Sequence, residues 1–171
     1  MLESGAKVFY PNQGAGLIKS VENMQFIGSP REYYKVYMQM NSLILYIPLY
    51  DADKMGLRRL STPEQLEEAR TLFFAESKQL PQNSSDRKQL LKNRLKSGKL
   101  SDLYQVIRDL TCSKDHGTKV NAEDKYILEH AIELLESELM LIHKLSGEGA
   151  GLLVREEIRQ RSLDAAVQIT K

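Results

Sequence analysis

The stretch Lys7-Val-Phe-Tyr-Pro-Asn-Gln-Gly14-Ala-Gly16 decides the fold, continued through Arg31-Glu-Tyr-Tyr-Lys-Val-Tyr37 and Leu43-Ile-Leu-Tyr-Ile-Pro48 to Asp51-Ala-Asp-Lys-Met-Gly-Leu-Arg-Arg59. Short runs rich in β-branched and aromatic residues alternate here with clusters of Pro, Gly, Asn and Ser. That is the pattern of a small, strongly bent antiparallel sheet. Val8–Tyr10 reads as a strand stopped by Pro11, and Gly14 and Gly16 allow positive φ or close backbone approach. Gly16–Ile27 reads as the next strand. Glu32–Met40 and Ser42–Tyr50 form a hairpin around Met40-Asn41-Ser42, and Pro48 stands near a strand end. Four or five such strands make a barrel-like sheet of SH3 or Tudor size. The stretch holds no nucleophile–base pair, metal spacing or phosphate loop, so it suits binding rather than catalysis.

After Arg59 the periodicity becomes helical. Ser61-Thr-Pro-Glu64 is a helix start, with Leu66, Ala69, Phe73 and Phe74 at helical spacing up to an end near Phe74. Glu76–Ser85, with Pro81, Asn83 and two serines, reads as a linker. Asp86–Ser97 is a helix capped by Gly98, and Ser101 caps the next. Asn121 opens the longest helix, with Ile127, Ala131, Leu134, Leu135 and Leu139 on its apolar stripe. Ser146-Gly-Glu-Gly-Ala-Gly151 breaks it before a last amphipathic segment, Leu152–Ile169. The expected class is therefore α+β: a small antiparallel β domain over residues 1–60, a connecting helix and linker over 61–82, and an all-α domain over 83–171.

With 171 residues, 42% of them hydrophobic, the chain can fold as one domain or two small ones. Its single cysteine, Cys112, rules out an internal disulfide framework and reads as buried and inert. No opening h-region or bilayer-length apolar run is present, so a cytosolic, non-membrane protein is expected. His116, His130 and His143 lack the spacing of a metal site, and no cofactor is expected. Glu133, Glu136 and Glu138 read as a solvated helix face rather than an acid/base set.

One charge feature stands out against the formal net charge of +1. Arg87, Lys88, Lys92, Arg94, Lys96 and Lys99 follow one another with no acid between them. An acid-free basic helix beside a flexible linker suits a phosphate backbone. The competing reading is a solvated face whose acids lie on neighbouring helices. Tyr33, Tyr34, Tyr37, Tyr46 and Tyr50 crowd the hairpin in both parities, so some rings face outward, where they suit partner binding by packing or strand addition.

Tyr10-Pro11-x-x-Gly14, Arg31-Glu32-Tyr33, Ile47-Pro48 and Met55-Gly56-Leu57-Arg58 resemble the CarD/CdnL family of bacterial transcription regulators. Leu95-x-Ser97-Gly98, Val106-Ile-Arg-Asp-Leu110, Glu123-x-Lys125 and Glu138-Leu139 follow in the family's order. The N-terminal half is also similar to the polymerase-interacting domain of transcription-repair coupling factor. The resemblance implies a non-enzymatic monomer whose Tudor-like domain docks on the β subunit of RNA polymerase. Its helical domain would lie on promoter DNA at the upstream edge of the bubble, without reading sequence, and stabilise the open complex. The implied polymerase contacts fall at Met24, Phe26, Lys35 and Tyr46; Met24 and Tyr46 stand where the family often has arginine. The implied DNA contacts fall at Ser84, Arg87, Lys88, Lys92, Arg94 and Lys96. Ser84 is close to the place where many members carry a tryptophan wedge, and this chain has no tryptophan. Tyr104 is a second candidate aromatic contact. The alternative is a polymerase or other protein interaction module whose helical half does not bind DNA.

Overall fold

The computed structural model describes residues 1–169, with side chains through Asp164. Five strands come first: β1 (Lys7–Tyr10), β2 (Gly14–Met24), β3 (Arg31–Met38), β4 (Leu43–Pro48) and β5 (Arg58–Arg59). They form one antiparallel sheet in the order β4-β3-β2-β1-β5. Five helices follow: α1 (Pro63–Phe74), α2 (Ser84–Ser97), α3 (Leu100–Thr111), α4 (Ala122–His143) and α5 (Gly147–Ile169). The class is α+β, with the β domain N-terminal and the helices C-terminal, as the change of periodicity at Arg59 predicts.

The β2–β3 register shifts between Ile18 and Ser20, which leaves Lys19 as an extra residue. A bulge of this kind bends the strand and raises its twist. The bent sheet closes over a first core of Val8, Ile18, Tyr34, Val36, Met38, Ile47, Ala52 and Leu57. Successive strand residues point to opposite faces. Phe9 therefore turns away from its neighbour Val8 and joins the second core, with Ala15 and the apolar stripes of the helices. The continuous run Val8-Phe9 is thus explained by a strand buried on both faces.

Helix signals act largely where the sequence puts them. Thr62 and Gln65 form a capping box on α1, and Asn121 and Asp124 form another on α4. Gly98 ends α2 in the left-handed conformation at φ 68°. Three expectations change. Ser101 is not the cap of α3; the helix starts at Leu100 after Lys99, with no side-chain cap bond. The glycines after Ser146 do not break α4. Lys144 does, at φ 54°, and Gly147, Gly149 and Gly151 lie inside α5. A Cβ on Gly151 would meet Glu136 Oε1 at 3.2 Å, so that glycine lets α5 approach α4 closely. Finally, the segment between α1 and α2 is irregular yet tied down. Leu80 is buried in the helical core, and Lys78 N–H donates to Asp109 Oδ1 at 3.0 Å.

The two halves share an interface made by small residues and one charge pair whose carboxylate is buried. Gly14, at φ +84°, leaves room only for Ser137; a Cβ there would lie 2.5 Å from its Oγ. That Oγ accepts from Ala15 N–H at 2.9 Å and donates to Leu134 O. Lys7 Nζ donates to Leu141 O at 2.7 Å. Pro11 fits against Gly56 and Gly98. Glu138, read from sequence as part of a solvated face, is fully buried and accepts both ends of the Arg58 guanidinium at 2.8 Å.

Candidate interaction surfaces

The first surface is the outer face of the sheet. Register pairs Met24 with Arg31, Glu22 with Tyr33, Ser20 with Lys35, and Lys35 in turn with Tyr46. Alternation therefore places Met24, Lys35 and Tyr46 on one face, opposite the buried Tyr34, Val36 and Ile47. Phe26, just past the end of β2, folds over that face. Its ring lies 5.1 Å from Tyr33 and 6.1 Å from Tyr46, edge-on to both. Lys35 Nζ stands 5.8 Å from the Tyr46 ring and 3.0 Å from Glu22 Oε1. The hydrogen bond to Glu22 raises the Lys35 pKa, and the same bond holds the Glu22 carboxyl below its usual range. Ile27 is 91% exposed at the hairpin tip, and Leu43 and Ile44 are exposed on β4. The four residues expected to contact polymerase are thus brought to one patch. That patch is an aromatic and aliphatic surface with a single internal ion pair. It borders β4, the edge strand of the sheet, whose outer backbone edge pairs with no strand among the described residues.

The second surface is α2, and here the residues divide. Arg87 is buried. Its Nε and Nη2 donate to the Asp124 carboxylate at 2.8–3.1 Å, and its Nη1 donates to Pro81 O and Gln82 O. Burial would raise the Asp124 pKa, but the Arg87 bonds and the N–H of Asn121 outweigh it and hold it below the ordinary value. Arg87 as placed has a packing role, and a contact with DNA would require it to leave Asp124. Arg94 also turns inward, to Asp109 Oδ2 at 2.8 Å. Lys88 and Lys92 are solvated and share one carboxylate, Glu123, at 2.7 and 3.2 Å. Lys96 and Lys99 are exposed, with no ion-pair partner among the described residues. Ser84 is exposed in the first turn. Tyr104 is not a surface aromatic. It is fully buried, its hydroxyl bonds Glu157 Oε2 at 3.3 Å, and burial pushes its pKa up.

The neutralising acids Glu123, Asp124 and Asp109 lie on α3 and α4, far along the chain. One signal was available: Asp124 occupies the third helical position after Asn121, where a capping acid is expected.

Two family models match the chain: "CarD-like/TRCF RID domain" over residues 2–61 and "CarD, C-terminal domain" over residues 65–155, more than half of it. The chain belongs to the CarD family. A curated protein similar to it is "Putative transcription factor YdeB" of Bacillus subtilis (strain 168), 28% identical over 143 residues, 83% of this chain and 92% of that protein. The stretches that carry the CarD resemblance do not lie on either surface alone. Pro11, Gly14, Gly56, Arg58, Gly98 and Glu138 all meet at the junction between the halves. Among the described residues of this CarD-family chain, no three His, Cys, Asp or Glu side chains gather as a metal site. No described helix is long and apolar enough to cross a membrane.

Proposed function

We propose that this protein is a transcription regulator that docks on RNA polymerase through its sheet and holds its helical half against promoter DNA. The docking site is the β-subunit lobe, met by the Met24, Phe26, Lys35 and Tyr46 face and by strand addition to β4. Solvated cations of α2 then contact backbone phosphates at the upstream edge of the bubble without reading sequence. The result is a longer-lived open complex. The observation that carries this reading is the convergence of the four sheet residues into one patch, aromatic and aliphatic around the Lys35–Glu22 ion pair, beside an open strand edge. The protein acts as a cytoplasmic monomer and catalyses nothing. Its working units are residues 1–60 for polymerase and 83–171 for DNA, joined by 61–82.

A second reading has its own support. Three carboxylates answer four of the six cations between Arg87 and Lys99, and Ser84 offers no wedge. A module that binds polymerase and leaves DNA alone is compatible with that balance. The deciding experiment measures the lifetime of promoter open complexes with the cognate polymerase, with and without the protein. A Lys88→Ala/Lys92→Ala variant is run in parallel. On the leading reading the wild type lengthens the lifetime and the variant does not. Polymerase binding with an unchanged lifetime would favour the second.

A further inference from the structure

The junction between the halves contains a charge pair that packing alone does not require. Arg58 is the first residue of β5, and its side chain touches α4, the end of α2, β1 and Ser61 ahead of α1. Its Nη1 and Nη2 donate to Glu138 Oε1 and Oε2 of α4, each at 2.8 Å. Its Nε donates to Gly98 O, at the end of α2, at 2.7 Å. Its guanidinium lies 4.4 Å from the centre of the Phe9 ring of β1. Glu138 also accepts from Ser61 N–H at 3.0 Å, where the sheet hands over to α1.

An ion pair with a fully buried carboxylate is an expensive way to join two surfaces. Taking the Glu138 carboxylate and most of the Arg58 side chain from water carries a desolvation cost, and well-packed apolar residues are often as stabilising or more so. What the pair adds is geometry. A guanidinium–carboxylate fork has a fixed plane and two fixed distances, whereas an apolar contact tolerates sliding. The fork ties β5 to α4, and its third nitrogen reaches the end of α2, the helix that carries the solvated lysines. Gly14 against Ser137, and Pro11 against Gly56 and Gly98, leave no slack around it.

We propose that Arg58 and Glu138 are positioning residues that fix the span and angle between the outer sheet face and the solvated face of α2. This rests on the function proposed above, because a fixed span matters only if both faces are engaged at once. Linking two contacts makes the second effectively intramolecular. The gain is large when the linkage matches the distance to be bridged and vanishes when it does not. The fork is the rigid element that makes the match.

The test uses Glu138→Gln in the full chain, with Arg58→Lys as a second variant that keeps the charge but loses the fork. Three quantities are measured for each: affinity for polymerase alone, affinity for forked promoter DNA alone, and open-complex lifetime. Nitroxide labels at Asn23→Cys and Lys125→Cys, both exposed, report the distance between the halves. The expected result is separate affinities within about twofold of wild type, a broadened label distance, and a lifetime that falls to that of polymerase without the protein. Arg58→Lys should fall between wild type and Glu138→Gln. A merely structural role would lower both affinities together with the lifetime, and that outcome overturns the proposal. So does a broadened distance with an unchanged lifetime. If Glu138→Gln does not fold, the same criteria apply to Arg58→Lys. A wild type that binds polymerase without lengthening the lifetime defeats the functional reading first, and the positioning role with it.

Discussion

Arg87 and Lys88 are neighbours in sequence, yet one is sealed against Asp124 and the other is solvated beside Glu123. A run of cations reports its charge density, but the helical turn decides which members face in. Periodicity gave a usable hint: Arg87, Leu91 and Leu95 lie on one face, and all three are buried. The density was legible, and so was the capping role of Asn121. The pairing of Arg87 with an acid 37 residues away was not, because it depends on α2 packing against α4. Arg87→Ala leaves a buried carboxylate unpaired and should cost about 3–5 kcal/mol in a denaturant titration. The Asp124 pKa is lowered in the fold, so the stability it contributes is complete above the ordinary Asp range, near pH 4, and is lost as pH falls through the folded value. The stability gap between wild type and Asp124→Asn should therefore be full at neutral pH and shrink below about pH 4. On the surface the sign of the effect reverses. Glu123 holds both Lys88 and Lys92, and a phosphate must compete with it. Glu123→Gln should tighten binding to forked DNA and steepen the logarithmic salt slope by roughly 1.

At the scale of elements, the strands follow from the sequence more closely than the links between helices do. Alternation of buried and outward residues is local, so Tyr34, Val36 and Met38 could be separated from Tyr33, Lys35 and Tyr37 by counting. Links are set by what lies beneath them. Pro81, Asn83 and two serines suggested a flexible segment, but Leu80 is 2% exposed, with Leu91 and Leu103 in the same core. Leu80→Ala should cost about 2–5 kcal/mol, as for a core leucine, where a true linker would lose almost nothing. The glycines of α5 misled for the same reason. Glycine weakens a helix by roughly 1 kcal/mol relative to alanine, yet here it admits close contact with α4, and the left-handed turn falls on Lys144 instead.

At the scale of the molecule, a boundary that is sharp in sequence grammar is not a physical gap. Phe9 and Ala15 belong to the helical core, Lys7 bonds α4, and Arg58 bonds Glu138. Nothing in the strand pattern announced this, because a second buried face in a short strand looks like an ordinary apolar run. The halves should unfold together. Tyrosine fluorescence, weighted toward the sheet, and far-ultraviolet circular dichroism, weighted toward the helices, should give coincident denaturant transitions. Two separated transitions would show that the junction is too weak to couple the halves.

The open edge of β4 has a consequence for the protein when it is alone. Leu43-Ile-Leu-Tyr-Ile47 carries no charge, and Pro48 guards only its far end. An edge that welcomes a strand from a partner is equally open to the same strand of another copy. The same feature that suits docking therefore also suits pairing between copies. On the proposed docking, a bound partner would shield that edge and an unbound molecule would leave it open. Self-association of the protein alone, followed by light scattering, should fall when a charge is placed on this edge, as in Ile44→Lys.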